Sequence, residues 1–250
     1  MKEKITFLDK INCRHVFIIF CACQLIFWTL SPTISYMSLP HDVAEGLAWG
    51  HQWAWGYNKM PPFTAWILAG ATNIFGGLIG FPIYLVAQLA VVVTYIFVWK
   101  LAMKIADGKV ALLSVLLLAG VLYYNNNSAN ITPDTMSTPM WAMVIYFTYS
   151  SFKDNKLRDW CLLGVALSLA ALTKYSVGIL IIVLVLWSLY SKDARSRYLG
   201  KGPYLAFGLS VLLFIPHLYW SFTHQFPEFQ YIFHSALGGA DNPVVREPLQ

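Results

Sequence analysis

The sequence predicts an all-α membrane protein: a polytopic bundle of about seven transmembrane helices, with one further helix at the outer membrane surface. Two observations support this fold class. Hydrophobic residues make up 58% of the 250 residues and charged residues only 12%, whereas a soluble domain carries roughly 25% charged residues. The apolar residues also form long blocks, as membrane spans require. A soluble fold of this size would have too few charges to cover its surface.

Apolar blocks follow one another along the chain, and short polar or basic segments separate most of them. Their approximate bounds are 15–35, 63–81, 83–103, 110–124, 138–152, 160–173, 176–190 and 203–220. A helix needs about 20 residues to cross the bilayer, so several blocks predict short or tilted spans. Lys174 divides residues 160–190 into two helices, because a single helix there would be about 46 Å long at 1.5 Å per residue.

Basic residues set the predicted orientation, because cytoplasmic loops are rich in Lys and Arg. The N-terminus is placed in the cytoplasm by Lys2, Lys4, Lys10 and Arg14. Later basic clusters fall on the same side only if block 63–81 does not cross the membrane; they contain Lys104, Lys156 and Lys201. We therefore interpret 63–81 as a helix that lies along the membrane or packs against the bundle outside. The outer segments are then 36–82, 124–138 and the residues after 220.

Charge and cysteine content exclude several other classes of protein. The net charge of +5 does not indicate a nucleic-acid partner, because the basic residues lie in short tracts between apolar blocks. The four cysteines imply neither a disulfide framework nor a zinc site. We divide the chain into a transmembrane core, residues 1–220, and an outer-side loop, residues 221–250, which we expect to continue into a further C-terminal part.

An acidic pair lies in the first predicted outer loop. Asp42 and Glu45 are three positions apart, so a helix that starts after Pro40 would place both carboxylates on one face. One carboxylate could act as general base while the other binds a divalent cation or orients an acceptor. The same spacing is also compatible with a helix cap at Asp42 completed by Glu45, and the spacing does not distinguish these interpretations.

Two lysines on the same side are candidate ligands for an anionic group. Lys59 precedes Pro61-Pro62, and Lys174 stands alone between two short apolar helices. Lysine acts as a compact point charge for phosphate, which gives both residues a functional interpretation. Lysines that merely extend their ammonium groups to the membrane interface are the alternative.

Asp134 and a group of aromatic residues complete the candidate site. Asp134 precedes the block that starts at 138 and could be a helix N-cap or a site residue. The aromatic residues from Trp49 to Tyr57 could anchor an interfacial helix or line a substrate site. The sequence contains no Gly-rich phosphate loop, nucleophile elbow or zinc-protease pattern. A nucleotide donor is therefore not indicated, and an outer-facing site would draw on a lipid-linked donor.

The stretch from Leu39 to Phe63 resembles the first outer loop of the membrane-embedded C-type glycosyltransferases: LPHDVAEGLAWGHQWAWGYNKMPPF. It is most similar to family 39 and its bacterial branch, which includes lipid A aminoarabinose transferases and Rgt-type sugar transferases. Later motifs occur in the same order. Thr-Pro-Asp at Asp134 resembles the second-loop acidic site, and Thr173-Lys174 followed by Gly178 resembles the short-helix lysine motif. The resemblance covers about residues 15–220.

The resemblance implies that a sugar moves from a polyprenyl-phosphate donor to a lipid, glycan or protein acceptor, outside a bacterial inner membrane. Asp42 would be the general base that activates the acceptor hydroxyl. The remaining assignments are Glu45 and Asp134 to the acceptor or a metal, Lys59 and Lys174 to the donor phosphate, and Trp53, Tyr57 and Asn130 to the substrate lining. Some relatives bind a divalent metal near the acidic residues, which makes a metal ion a possible cofactor.

The chain departs from the family pattern at two positions of the first loop. Val43 occupies the second acidic position, so Glu45 would have to take that role. Met60 precedes Pro61 where relatives often have Lys or His, which leaves Lys59 as the nearest cation. Both departures concern the assignment of single residues more than the family.

Two other functions compete with a glycosyltransferase. A transporter or lipid flippase often shows inverted repeats and ionisable residues deep within its spans. No repeat is visible in this sequence, and its candidate charges collect on one predicted side, which favours an enzyme at the membrane surface. A non-catalytic membrane remnant or assembly partner is the third possibility, and the short length of the chain favours it.

Overall fold

The computed structural model describes residues 12–236, and the all-α fold is confirmed over these residues. The α-helices are α1 (Cys13–Ser35), α2 (His41–Gly50), α3 (Phe63–Ile74), α4 (Phe81–Ile105), α5 (Gly108–Ala119), α6 (Pro133–Asp154), α7 (Leu157–Thr173), α8 (Val177–Tyr190), α9 (Lys192–Ser196), α10 (Gly202–Thr223) and α11 (Pro227–Ala236). Short 3-10 turns occupy Leu122–Tyr124, Asn126–Ala129 and Arg197–Leu199. Lys2, Lys4, Lys10 and the predicted continuation of the chain lie outside the described residues.

Within the described residues, three helices are individually long and apolar enough to cross a membrane, namely α1, α4 and α10. The number rises to five if two bent pairs each count as one span: α5 with the turns that follow it, bent by 88°, and α8 with the segment 192–199, bent by 92°. The predicted seven spans would also require α6 and α7. Because α7 has only 17 residues and α6 carries charged residues near both ends, seven spans stays a prediction.

The block predicted not to cross the membrane contains α3, whose 12 residues extend about 18 Å at 1.5 Å per residue. That length is short of the roughly 30 Å hydrocarbon core. α3 packs against α2 and α4. The contact with α2 is a close backbone approach, since a Cβ added at Gly50 would lie 2.1 Å from the Ala65 carbonyl oxygen. α2 and α3 therefore form one packed pair.

The long helices pack side by side in the order α1, α4, α6, α7 and α10. At the contact between α7 and α10, a Cβ added at Gly164 would lie 2.6 Å from the Ala206 carbonyl oxygen, so glycine permits this close approach. Trp160 is buried at the start of α7, and its indole N–H donates to Asn155 Oδ1 at 3.1 Å. α4 and α6 both end near the Lys104–Asp154 contact, and α7 and α10 both begin where Gly202 meets Trp160.

Basic residues near the ends of the long helices meet at one end of the bundle, here called the basic end. It is defined by Lys104, Lys153 and Arg197, together with Asp154, which pairs with Lys104. Lys104 Nζ lies 2.5 Å from Asp154 Oδ2, and Lys153 donates to the Lys104 carbonyl oxygen at 3.0 Å. The Arg197 Nε–H donates to the Phe152 carbonyl oxygen at 2.9 Å. The predicted clustering of basic segments is visible in these contacts, while their cytoplasmic location stays a prediction.

The opposite end of the bundle contains Lys174, where the sequence predicted that one helix ends and the next begins. α7 ends at Thr173 and α8 begins at Val177, and Lys174 itself is extended, with φ −161° and ψ 136°. The division of this block into two helices is therefore confirmed. The segment predicted as an outer loop from residue 221 onward contains, in its described part, the end of α10 and the helix α11.

Candidate active site

Asp42 and Glu45 lie on the first two turns of α2, as the i and i+3 spacing predicts. Pro40 is the N-cap residue and forms no side-chain capping bond, so Asp42 does not cap the helix. Both oxygens of Glu45 accept hydrogen bonds from Lys59 Nζ, each at 2.9 Å. The capping interpretation is therefore wrong, and Glu45 forms an ion pair with Lys59 instead.

Asp134 is likewise not a cap. Thr132 is the N-cap of α6, and its hydroxyl accepts from the Thr135 backbone N–H at 3.4 Å while the Thr135 hydroxyl accepts from the Thr132 N–H at 2.8 Å. Pro133 occupies the first helical position, where its missing N–H costs no hydrogen bond. The carboxylate of Asp134 is thus free of capping, and Oδ1 accepts a hydrogen bond from Lys174 Nζ.

These charged residues line one cavity of about 390 Å³, here called the ion-pair cavity. It contains Asp42 together with the pairs Glu45–Lys59 and Asp134–Lys174. The rest of its lining is Met60, Pro61, Thr132, Pro133, Tyr175, Ser176, Tyr231 and Ile232. The structure therefore brings together all five charged residues that the sequence selected, from α2, the loop before α3, the start of α6 and the break between α7 and α8.

The carboxylates of the cavity are not equivalent. Glu45 and Asp134 are each bonded to a lysine. Among the described residues, Asp42 has no lysine partner, and its one ion-pair contact is His41 Nδ1 at 3.8 Å. Asp42 is therefore the one described carboxylate of this cavity that forms no ion pair with a lysine.

Lys59 is held as a cation. Burial lowers its pKa, but the hydrogen bond and the charge of Glu45 outweigh that effect, and the pKa is raised above the ordinary lysine value. A raised pKa keeps the ammonium charged up to a more alkaline pH than in an exposed lysine. The ammonium also lies over the rings of Trp49 and Tyr231, 5.8 and 5.7 Å from their centroids. The cavity thus has a cation fixed in place at neutral pH.

A divalent metal would find suitable donor types on the first turns of α2. Ligand atoms of His41, Asp42 and Glu45 lie within 4.8 Å of one another, and carboxylate oxygens and imidazole nitrogens are common metal ligands. However, Lys59 occupies both oxygens of Glu45. A metal bound there would have to displace an ammonium, so this arrangement does not fit a metal ion.

A second cavity of about 580 Å³ adjoins the first and shares Thr132 and Asp134 with it. We call it the asparagine cavity; the rest of its lining is Tyr36, Pro40, Tyr123, Asn126, Asn127, Ala129, Asn130 and Thr135. The predicted substrate residue Asn130 lines this cavity rather than the ion-pair cavity. Trp53 and Tyr57 line neither: Trp53 is 52% exposed, and Tyr57 is buried with its ring stacked on Trp49 at 5.7 Å.

A buried polar network, which was not predicted from the sequence, extends from Tyr175 in the lining of the ion-pair cavity. The Tyr175 hydroxyl lies 2.7 Å from His217 Nε2 and 3.3 Å from Glu228 Oε1. Ser221 donates to both Glu228 oxygens at 2.8 and 3.0 Å, and His217 Nδ1 lies 2.5 Å from the Trp55 carbonyl oxygen. His217 and Glu228 are fully buried. Burial and the charge of Glu228 raise the pKa of Tyr175, so its hydroxyl stays neutral.

A family model of dolichyl-phosphate-mannose-protein mannosyltransferases matches residues 59–220, more than half of the chain. The chain belongs to this family. The resemblance found in the sequence is thereby confirmed: this is a membrane-embedded glycosyltransferase, whose family transfers sugar from polyprenyl-phosphate donors. No curated protein and no solved structure matches the chain.

The match to the family model includes only part of the candidate site of this glycosyltransferase. Lys59, Asp134 and Lys174 lie within residues 59–220, whereas Asp42 and Glu45 precede the match. The assignment of Asp42 and Glu45 to the site therefore depends on the geometry of α2 and on the sequence resemblance of the first loop. The transporter alternative gains no support from the family.

Proposed function

We propose that this glycosyltransferase transfers a hexosyl or pentosyl group from a polyprenyl-phosphate donor to a hydroxyl of a lipid, glycan or protein. The reaction takes place in the ion-pair cavity, at the outer face of a bacterial inner membrane, with seven spans and a cytoplasmic N-terminus. One observation carries the proposal: Asp42, the carboxylate without a lysine partner, lines the same cavity as Lys59 and Lys174. A transferase that uses a lipid phosphate needs a base and cations together.

The proposed reaction is a single displacement. Asp42 accepts the proton of the acceptor hydroxyl, and the oxygen attacks the anomeric carbon of the donor sugar. The new carbon–oxygen bond forms as the bond from the anomeric carbon to the phosphate oxygen breaks, and polyprenyl phosphate leaves with that electron pair. Because one displacement inverts the attacked carbon, the product has the opposite anomeric configuration to the donor.

Lys59 and Lys174 have the complementary role on the leaving group. Negative charge grows on the phosphate as the bond breaks, so ammonium groups at that point stabilise the transition state more than the ground state. An ammonium has three N–H donors. It can therefore contact a phosphate oxygen while it keeps a bond to its carboxylate, and Glu45 and Asp134 position the two cations before the donor binds.

The decisive variant is Asp42→Asn in the complete protein, reconstituted in nanodiscs. Loss of a general base lowers the rate by about 10²- to 10⁴-fold, and we expect transfer to fall by that factor while binding of a short polyprenyl phosphate is retained. Glu45→Gln is the matched control on the same helix face and should cost less. Rates of sugar transfer and affinities for farnesyl phosphate provide the two readouts. Full transfer activity in Asp42→Asn would rule out the proposed base.

A further inference from the structure

A transferase needs two substrates, and the structure has two adjoining cavities of different chemistry. The ion-pair cavity holds Lys59 and Lys174. The described lining of the asparagine cavity includes no Lys or Arg, and its one carboxylate is Asp134, which it shares with the ion-pair cavity. A phosphate therefore has cations only in the first cavity. The second is built from amides, hydroxyls and phenols, which suit an uncharged polar group.

The asparagines of the second cavity have hydrogen-bonding capacity that the fold does not use. Asn125 is structural, since its Nδ2–H donates to the Ala119 carbonyl oxygen at 3.1 Å and its Oδ1 accepts from the Asn126 backbone N–H at 2.5 Å. The side chains of Asn126 and Asn127 are exposed and have no hydrogen-bond partner among the described residues. Asn130 Oδ1 is buried without a partner, which is unfavourable for a carbonyl oxygen.

A polar network fixes the segment that carries these asparagines. Gln24 Nε2 donates to the Tyr124 carbonyl oxygen at 2.9 Å and to Gln88 Oε1 at 3.1 Å. Gln88 Nε2 donates to Ser128 Oγ at 2.9 Å, and all three side chains are buried. The segment is thus bonded to α1 and α4 before any ligand arrives, and such preorganisation lowers the cost of binding.

We propose that the asparagine cavity is the acceptor subsite and binds a neutral carbohydrate. The inference rests on the proposed function and specifies its acceptor. Each amide offers an acceptor oxygen and two donors, which match sugar hydroxyls that both donate and accept. Tyr36 and Tyr123 also line this cavity, and tyrosine combines an apolar ring with a hydroxyl that can donate and accept. The volume of 580 Å³ lies within the range of about 300–1,000 Å³ typical of small-ligand sites.

A peptide acceptor is the alternative occupant. It could not bind by strand addition to residues 12–236, which contain no strand. An anionic lipid head group would lack a cation in the asparagine cavity. A carbohydrate bound there could extend one hydroxyl past Thr132 and Asp134 into the ion-pair cavity, where Asp42 takes the proton. The shared wall therefore sets where acceptor and donor meet.

The test uses saturation-transfer NMR on the complete protein in nanodiscs. The probes are a panel of neutral mono- and disaccharides, a panel of Ser- and Thr-containing peptides of matched size, and farnesyl phosphate for the donor site. The test variant is Asn126→Ala with Asn127→Ala, whose side chains hold no bond that the fold needs. Asn73→Ala is the matched control, because Asn73 is exposed on α3 and lines neither cavity.

We expect saccharide signals in the parent protein and in Asn73→Ala, and at least a tenfold weaker signal in the double variant. Farnesyl phosphate should bind the double variant unchanged and should bind Lys59→Ala, which keeps Lys174, more weakly. Peptide signals in place of saccharide signals, saccharide binding that survives the double substitution, or no saccharide binding at all would overturn the inference. Saccharide binding with this mutational pattern but without farnesyl phosphate binding would support the subsite and reject the proposed donor.

Discussion

The two ends of the bundle contain the same kind of contact in different surroundings. At the basic end, Lys104 pairs with Asp154, and neighbouring cations donate to backbone carbonyls near helix ends. Such carbonyls have no partner within their own helix, so these bonds complete the helix ends. At the other end, Glu45–Lys59 and Asp134–Lys174 line an open cavity instead. An ion pair therefore indicates a site only when its remaining donors face a space that a ligand can fill.

The largest expected effect distinguishes the lysines of the two ends. Lys59→Ala combined with Lys174→Ala should lower sugar transfer by about 10²- to 10³-fold, the usual cost of losing a group that stabilises transition-state charge. Lys104→Ala at the basic end should leave transfer unchanged and alter stability by about 0–1 kcal/mol, as is usual for an exposed pair. Single-turnover rates and thermal unfolding of the two variants provide the comparison. Equal losses of transfer in both would remove the distinction between the ends.

A smaller effect, on stability, is expected from removing the Tyr175 hydroxyl. Tyr175→Phe removes the hydroxyl that contacts His217 and Glu228, and leaving buried polar groups unpaired costs about 1–3 kcal/mol. Tyr149→Phe is the matched change at the basic end, where the hydroxyl accepts from Lys153 at 3.2 Å in an exposed position. Thermal unfolding should show a clear loss for Tyr175→Phe and almost none for Tyr149→Phe. A larger loss for Tyr149→Phe would contradict the structural role of the buried network.

The smallest expected effect is on stability at the start of α6, where Thr132 caps the helix and Asp134 contributes to the candidate site. Thr132→Val removes the capping hydroxyl and should cost about 1 kcal/mol of stability, typical of a lost N-cap. Asp134→Asn should leave the unfolding temperature nearly unchanged while it changes transfer, because the carboxylate holds Lys174 rather than the helix. Unfolding and transfer are measured on the same preparations. Destabilisation by Asp134→Asn comparable to that of Thr132→Val would restore the capping role.

Local spacing and charge in the sequence were sufficient to predict several features. The break at Lys174 and the acidic face of α2 each depend on residues that are neighbours in the chain. The exclusion of 63–81 from the spans came from the distribution of basic residues and stays a prediction; α3 has 12 residues, fewer than the roughly 20 of a span. Such features follow from helix periodicity and from the cost of placing charge in the bilayer.

Features that depend on tertiary packing could not be predicted. Lys59 bonds Glu45 because the chain folds back over 14 positions, whereas the sequence suggested only a phosphate ligand or a lysine that extends to the membrane interface. Tyr175 meets His217 and Glu228 across separations of 42 and 53 positions. One available signal was His217, an ionisable residue within an apolar block, where such residues mark functional sites by default.

The backbone contact between α2 and α3 has a consequence for how this enzyme can diversify. The approach of Gly50 to the Ala65 carbonyl fixes the position of α2 through main-chain shape at its C-terminal end, about two helical turns from Asp42. Exposed residues of α2 other than Asp42 and Glu45 can then be exchanged without moving the helix. Substrate preference can therefore drift through surface substitutions during evolution, or be redesigned, while the scaffold beneath stays constant.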